Sequence, residues 1–426
     1  MLPIRLLVAT LLLLAAPALA EPPPADPVIG WARVEFDANG ITREEAGGYA
    51  DLATMRPMTV DDPVRVASVS KLVVALGVLR LVEAGTLDLD ADVSDYLGWT
   101  LRNPAFPDTP ITLRHLLGHR SGIRDDAGYA LPLDANLEAW MRQDGAWNRE
   151  HEPGRWFHYS NLNFPVVAAA MEGATGERFD RIMHAQVFEP LGLDACFNWT
   201  TCSDEARSRA VILYREDGEP IRDTQDFIAT GCPATPASDG TCDLDTYVLA
   251  RNGAAFSPQG GLRISARDLA RIGFTLANFG SLSDGTRYLG NIQMWWRDPG
   301  WVLPHTPSPA FITLGDRENA LYCYYSFGLH GIRMAAEGCN DDLFGNGSDY
   351  LGHSGEAYGV RSGLWTHDSL EGEEPAQYVA SGVAYFATGL PEEGARSGNS
   401  AFTAIEERLA QGLPVETVVP EGGDGE

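Results

Sequence analysis

Val66-Ala67-Ser68-Val69-Ser70-Lys71 runs without a break into Leu72-Val73-Val74-Ala75-Leu76-Gly77-Val78-Leu79-Arg80-Leu81-Val82-Glu83-Ala84-Gly85. After Lys71 the residues are apolar on nearly every side of a helix until Glu83, and Gly85 is suited to stop it. A helix apolar all round is a buried one, so this segment is expected at the centre of the fold. Residues three apart on a helix share a face, so Ser68 and Lys71 can touch, whereas Ser70 points roughly 100° away from Lys71. Lys71 is also the only lysine in 426 residues; every other one of the 31 basic residues is arginine. Arginine keeps its proton at any ordinary pH, while a lysine held out of water can give its proton up and act as a base.

Outward from this centre, Met1 to Ala20 reads as a secretory signal peptide: Arg5, an apolar run from Leu6 to Ala16, and an Ala18-Leu19-Ala20 cleavage end. Residues 21–27 form a Pro-rich lead-in, and no cysteine follows the cleavage site to carry a lipid. An exported protein, periplasmic or secreted, with no membrane anchor after cleavage is therefore expected. The formal charge of −28, spread along the chain, disfavours nucleic acid and anionic membranes as partners. Cys196, Cys202, Cys232, Cys242, Cys323 and Cys339 make an even set, and in an exported chain joining sequence neighbours is the simplest of fifteen pairings. No C-x-x-C or H-E-x-x-H spacing occurs, so no metal site is expected.

In chain order, Gly30 to Phe36 and Gly48 to Leu52 alternate about an Asn39-Gly40 turn and read as two antiparallel strands. His115 and His119 stand at i, i+4, but without a third ligand two packed or surface histidines are expected. Helices are expected from about Phe164 to Glu172, from Ser265 to Phe279, and from Ser400 to Gln411. Strands are expected at Val360 to Thr366 and Gln377 to Phe386. Residues 196–255 are irregular and Asp-rich, and read as an insertion stapled by disulfides. Residues 416–426 read as an acidic tail.

Ala67-Ser68-Val69-Ser70-Lys71, Tyr159-Ser160-Asn161 and His353-Ser354-Gly355 resemble, in order, the three motifs of the penicillin-recognising serine hydrolases. The branch they resemble includes class C β-lactamases, D-Ala-D-Ala carboxypeptidases, D-aminopeptidases and lactamase-like esterases. Leu113 to Ile123, Pro153-Gly154 and Gly260 to Ala270 are similar to stretches of the same branch, and the likeness runs from about Val28 to Leu409. It implies one α+β domain over residues 28–415. An antiparallel sheet from both ends of the chain, flanked by helices, would form one lobe; a mostly helical lobe from about 86–300 would form the other, with the site between.

By that resemblance Ser68 is the nucleophile that forms an acyl-enzyme, and Lys71 and Tyr159 are the proton-transfer groups. Either of these two can be the acylation base. Asn161 would donate to the substrate's acyl side chain, the backbone N–H groups of Ser68 and Glu356 would form the oxyanion hole, and Gly355 would line the site. His353 stands where many relatives carry a lysine that grips a substrate carboxylate, and a neutral imidazole grips one less well. A small-molecule ester, amide or cell-wall peptide is thus the expected substrate, with esterase or D-amino-acid peptidase activity ahead of strong β-lactamase activity. No metal or organic cofactor is implied, and the oligomeric state is left open. The rival reading is a penicillin- or peptidoglycan-binding sensor that is acylated without turnover or not at all.

Overall fold

The structure is a computed structural model that describes residues 25–290, 321–322, 324–332, 339–371 and 377–419. The segment expected to be a signal peptide, most of the Pro-rich lead-in, Cys323 and most of the expected acidic tail lie outside the described residues. No helix among the described residues is long and apolar enough to cross a membrane.

Strands β1 (Gly30–Asp37) and β2 (Gly40–Asp51) form the expected hairpin, followed by the two-residue strands β3 (Arg56–Pro57) and β4 (Val64–Arg65). The middle of the chain contributes only short strands: β5 (Cys196–Phe197), β6 (Leu213–Tyr214), β7 (Pro220–Arg222) and β8 (Leu262–Ile264). The last third supplies β9 (Tyr324–Ser326), β10 (Leu329–Ile332), β11 (Tyr350–Ala357), β12 (Val360–Glu371) and β13 (Gln377–Thr388). The main sheet has eight strands in the order β3-β2-β1-β13-β12-β11-β10-β9, so the two ends of the chain meet at the β1–β13 pair. All its pairings are antiparallel, as the alternating sequence of both ends implies.

Successive strand side chains point to opposite faces, and this period divides the core in two. Leu364, Ala384 and Phe386 belong to the larger cluster, while their neighbours Trp365, Tyr385 and Ala387 belong to a second one. The four longest described helices are α1 (Val69–Glu83), α2 (Asn163–Thr175), α3 (Ala266–Ala277) and α4 (Ala404–Gln411). Helix α3 covers the first face and α4 the second, so the sheet is the middle of three layers. Ser265 caps α3 by accepting from Asp268 N at 3.1 Å, as its spacing predicts. Helix α4 begins at Ala404, four residues later than expected, because Thr403 and Glu406 form a capping box there.

Helix α1 is buried from Val69 to Leu79 without interruption. Its entry is pinned from both sides: Val66 N donates to Leu262 O at 3.1 Å, and Ser362 Oγ donates to Val66 O at 2.8 Å. Between these anchors Ala67 is held at φ 44°, a left-handed conformation that a residue with a Cβ rarely adopts. The chain therefore turns sharply just before Ser68.

Two expected disulfides are present, Cys196–Cys202 and Cys232–Cys242. Cys339 is also disulfide-bonded. The cysteine-bearing middle is more than a surface insertion, because β5 pairs with β8, which pairs with β4 directly before the turn into Ser68. Arg65 and Arg263 face each other across that ladder, with Asp223 bonded to Arg263 Nη2 at 2.8 Å and 3.8 Å from Arg65 Nε. Both partners of the Arg263–Asp223 pair are wholly buried. Substituting Asp223→Asn would leave two buried guanidinium groups uncompensated and is expected to cost about 3–5 kcal/mol of stability; a thermal melt within a degree or two of wild type would refute this.

Candidate active site

Ser68 is the N-cap residue of α1, yet its side chain makes no capping bond. Its hydroxyl instead lies 2.9 Å from Lys71 Nζ, one turn along. Ser70 is committed elsewhere, accepting from Leu262 N at 3.0 Å, so of the two serines only Ser68 meets the amine. Lys71 is fully buried, and its nitrogen also contacts Asn161 Oδ1 at 2.8 Å and Gln259 O at 2.9 Å. The rings of Tyr159 and Phe164 stand 4.8 Å and 5.6 Å from the same nitrogen. The first and second motifs are therefore brought together around one amine.

Asp125 organises the second motif. Its carboxylate accepts from Ser160 Oγ at 2.8 Å, Asn161 N at 2.8 Å, Leu162 N at 2.9 Å and Asn161 Nδ2 at 3.0 Å. Because Nδ2 faces Asp125, the amide oxygen of Asn161 must face Lys71. Neither Asp125 nor Gln259 was singled out by sequence: Asp125 lies two residues past the Leu113–Ile123 stretch, and Gln259 contributes only a backbone carbonyl.

The third motif lies on β11. Strand β10 pairs with Tyr350, Leu351 and Gly352, so from His353 onward that edge of β11 has no partner strand among the described residues. The freed edge runs beside the turn into Ser68, and a Cβ on Gly355 would stand 2.3 Å from Val66 O and 3.1 Å from Ser68 N. Only glycine allows this approach. At Gly328, in the β9–β10 turn at φ 69°, a Cβ would stand 2.6 Å from Lys71 O. Glu356 is exposed and pairs with Arg361 at 2.9 Å.

His353 is wholly buried and hydrogen-bonded through Nε2 to Tyr325 Oη at 2.8 Å, while Nδ1 meets the Ser354 carbonyl. A carbonyl only accepts, so Nδ1 carries the proton and Tyr325 donates to Nε2. Both nitrogens of the His353 ring are thus engaged within the protein. Burial, with the nearby charge of Lys71, holds its pKa well below the ordinary value, so it is neutral.

His115 and His119 are packed histidines, as expected, but His119 is packed at the site. Its Nδ1 accepts from Ser160 N at 3.1 Å, and its ring stacks on Tyr159 at 4.4 Å. Burial pushes the pKa of His115 down to about 4, that of His330 to about 3 and that of His119 well below 6.5, the last helped by the Lys71 charge. In each case the unfolded chain takes up its proton first as pH falls through 6.5. The stability tied to these neutral rings is therefore complete above 6.5 and is lost toward the lower folded-state values, at about 1.4 kcal/mol per pH unit for each ring. The imidazole carbon resonances of His115, His119, His330 and His353 in the folded protein are expected not to titrate between pH 8 and 5; a midpoint near 6.5 for any of them would contradict this geometry.

Comparison with known proteins bears on the family and the fold. A 210-residue stretch is 34% identical to an esterase, EstB, from Burkholderia gladioli, covering 46% of this chain and 53% of that protein. A 209-residue stretch is 28% identical to the D-alanyl-D-alanine-carboxypeptidase/endopeptidase AmpH of Escherichia coli K12, covering 47% of this chain and 53% of that protein. The chain thus spans about half the length of the curated relatives it matches. The fold is shared with a β-lactamase/D-alanine carboxypeptidase from Yersinia pestis at TM-score 0.61 and 16% identity, over 90% of this chain and 92% of that one. It is shared too with a D-amino acid amidase from Ochrobactrum anthropi SV3 at TM-score 0.56 and 20% identity, over the same shares of the two chains. A model of the β-lactamase family matches residues 28–403, and on that match, with the three motifs assembled around Ser68, the chain belongs to the β-lactamase family.

Proposed function

We propose that this protein is an exported serine hydrolase that forms an acyl-enzyme at Ser68 on an ester or amide substrate. The observation that carries the reading is the triangle of contacts around Lys71 Nζ. Two of its neighbours, Asn161 Oδ1 and Gln259 O, can only accept, so they hold two N–H groups in fixed directions. The third direction faces Ser68 Oγ. As an ammonium the nitrogen donates along it; as an amine it offers its lone pair to the serine proton. One arrangement of heavy atoms serves both states, so proton transfer requires no movement of the lysine.

In the acylation step, Ser68 Oγ attacks the substrate carbonyl, and the serine proton passes to Lys71 or Tyr159. The new O–C bond forms as the bond to the leaving alcohol or amine breaks, and that group departs with the proton. Water then attacks the acyl carbon, the bond from that carbon to Ser68 Oγ breaks, the acid product leaves, and a proton from the water ends on Ser68 Oγ. The backbone N–H of Ser68 and that of Glu356, on the open edge of β11, are assigned to the oxyanion. Asn161 Nδ2 has one hydrogen on Asp125 and a second available for the acyl side chain.

Esterase or D-amino-acid peptidase activity is favoured over strong β-lactamase activity, because the inward, neutral His353 offers no cation for a substrate carboxylate. The names of the relatives, an esterase and a carboxypeptidase/endopeptidase, are compatible with that ranking. Signal cleavage, export and a cell-wall peptide substrate belong to the same proposal.

The purified protein is expected to turn over p-nitrophenyl butyrate with a transient adduct visible by intact mass. Ser68→Ala and Lys71→Arg should each lose several orders of magnitude in kcat, the second because a guanidinium cannot give up its proton. Activity surviving in Ser68→Ala would remove the nucleophile, a permanent adduct would identify a sensor, and robust nitrocefin turnover would reverse the ranking of substrates. Gly355→Ala should lower kcat by at least roughly tenfold by forcing β11 away from Ser68, since small misplacements at a reacting centre are costly; unchanged turnover would show that the strand does not border the reaction.

A further inference from the structure

Tyr159 is enclosed by rings. His119 stacks on it at a centroid distance of 4.4 Å and an interplanar angle of 26°, and Tyr322 stacks at 4.8 Å and 4°. Two rings both parallel to a third at these distances occupy its two opposite faces. Tyr325 closes one side edge-on, 5.9 Å from Tyr159 and perpendicular to it, and is itself fixed by its bond to His353.

The His119 side of this enclosure is anchored to the second motif. His119 adopts φ 52°, which turns its side chain back toward the motif, and His158 N donates to its carbonyl at 2.9 Å. Nδ1 accepts from Ser160 N and lies 3.2 Å from Asn163 Nδ2. The orientation of Asn163 is set by Ser121 Oγ, which donates to Oδ1 at 2.6 Å, so Nδ2 is the end that faces the histidine. With Nδ1 committed as an acceptor, the proton of this neutral ring sits on Nε2.

We propose that His119 and Tyr322 are positioning residues that clamp the Tyr159 ring between them and hold it beside Lys71, whose Nζ stands 4.8 Å from the ring centroid. The inference rests on the reading of Tyr159 as a proton-transfer group. A phenol oxygen lies on the axis of ring rotation, so spinning the ring leaves it in place; tilting the ring out of its plane carries the oxygen away. Stacked rings on both faces block that tilt. They also keep water from the faces of the phenol.

The test measures p-nitrophenyl butyrate hydrolysis by the full chain, with thermal melts as a fold control. Tyr322→Ala removes one jaw. His119→Asn removes the other while an amide oxygen still accepts from Ser160 N, so the motif keeps its hydrogen bond. Each variant is expected to lose roughly 10- to 100-fold in kcat with KM little changed. In Tyr322→Ala the acid limb of the kcat profile should also move to lower pH, because water reaching the phenol eases its ionisation. A slower enzyme whose base ionises more easily is the signature of lost orientation, which a purely structural defect would not give. Tyr322→Phe, which keeps the stacked face, should restore both quantities.

Wild-type kcat in both Tyr322→Ala and His119→Asn overturns the clamp, as does a Tyr322→Phe variant as slow as Tyr322→Ala. Tyr159→Phe separates this failure from that of the underlying reading. If it turns over at the wild-type rate, Tyr159 carries no proton; if it is inactive while the clamp variants are not, only the clamp falls.

Discussion

A primary amine enclosed by protein and fixed by two carbonyl-type oxygens is the constraint from which the rest of the architecture follows. Lys71 can be buried because Asn161 Oδ1, Gln259 O and Ser68 Oγ occupy its hydrogen-bonding directions; without such partners a buried amine is expensive. Each partner comes from a different part of the chain, so the cost of burying one nitrogen ties the α1 entry, the second motif and the loop before β8 to a single point. The apolar circumference of α1 puts that point at the centre of the protein, where nothing can shift without disturbing the core on both sides.

The backbone supplies the matching constraint. Ala67 is held in a left-handed conformation because Val66 is bonded on one side to Leu262 and on the other to Ser362. Strain of this kind persists only where the surroundings over-determine it. Here they are two sheets: the small one carrying β4, β8 and β5, and the main one carrying β11 and β12. The buried Arg263–Asp223 pair and the Cys196–Cys202 disulfide lie on the small sheet, so the cysteine-bearing segment bears directly on the turn that presents Ser68.

What the sequence disclosed follows from the range of each interaction. The Ser68–Lys71 contact is local, one helical turn, and was legible from spacing and from a lone lysine among arginines. The hairpin, the long α1 and the α3 cap were legible for the same reason, since each depends on neighbours within a few residues. The boundaries of α4 and β12 were placed short or early, because a capping box and sheet partners decided where they begin and end. Asp125 and Gln259 were not legible, since an acidic residue in a loop and a backbone carbonyl carry no pattern. His353 was assigned to substrate because its position in the third motif is that of a lysine, yet its orientation is set by Tyr325, 28 residues away. A motif reports where a residue sits along a strand, while the side of the strand its ring finally occupies is settled by packing.

The inward turn of His353 and the enclosure of Tyr159 are two aspects of one substitution of chemistry. A lysine at position 353 would need water or an anion near its charge and would not pack in this buried place. A neutral imidazole instead packs against Tyr325, and Tyr325 packs edge-on against Tyr159 and Tyr322. The third motif thereby contributes to a rigid aromatic wall beside Tyr159. In a low-dielectric wall of this kind the Lys71 nitrogen and the Tyr159 ring, 4.8 Å apart, interact with little screening, so the packing that fixes the ring also strengthens its contact with the amine.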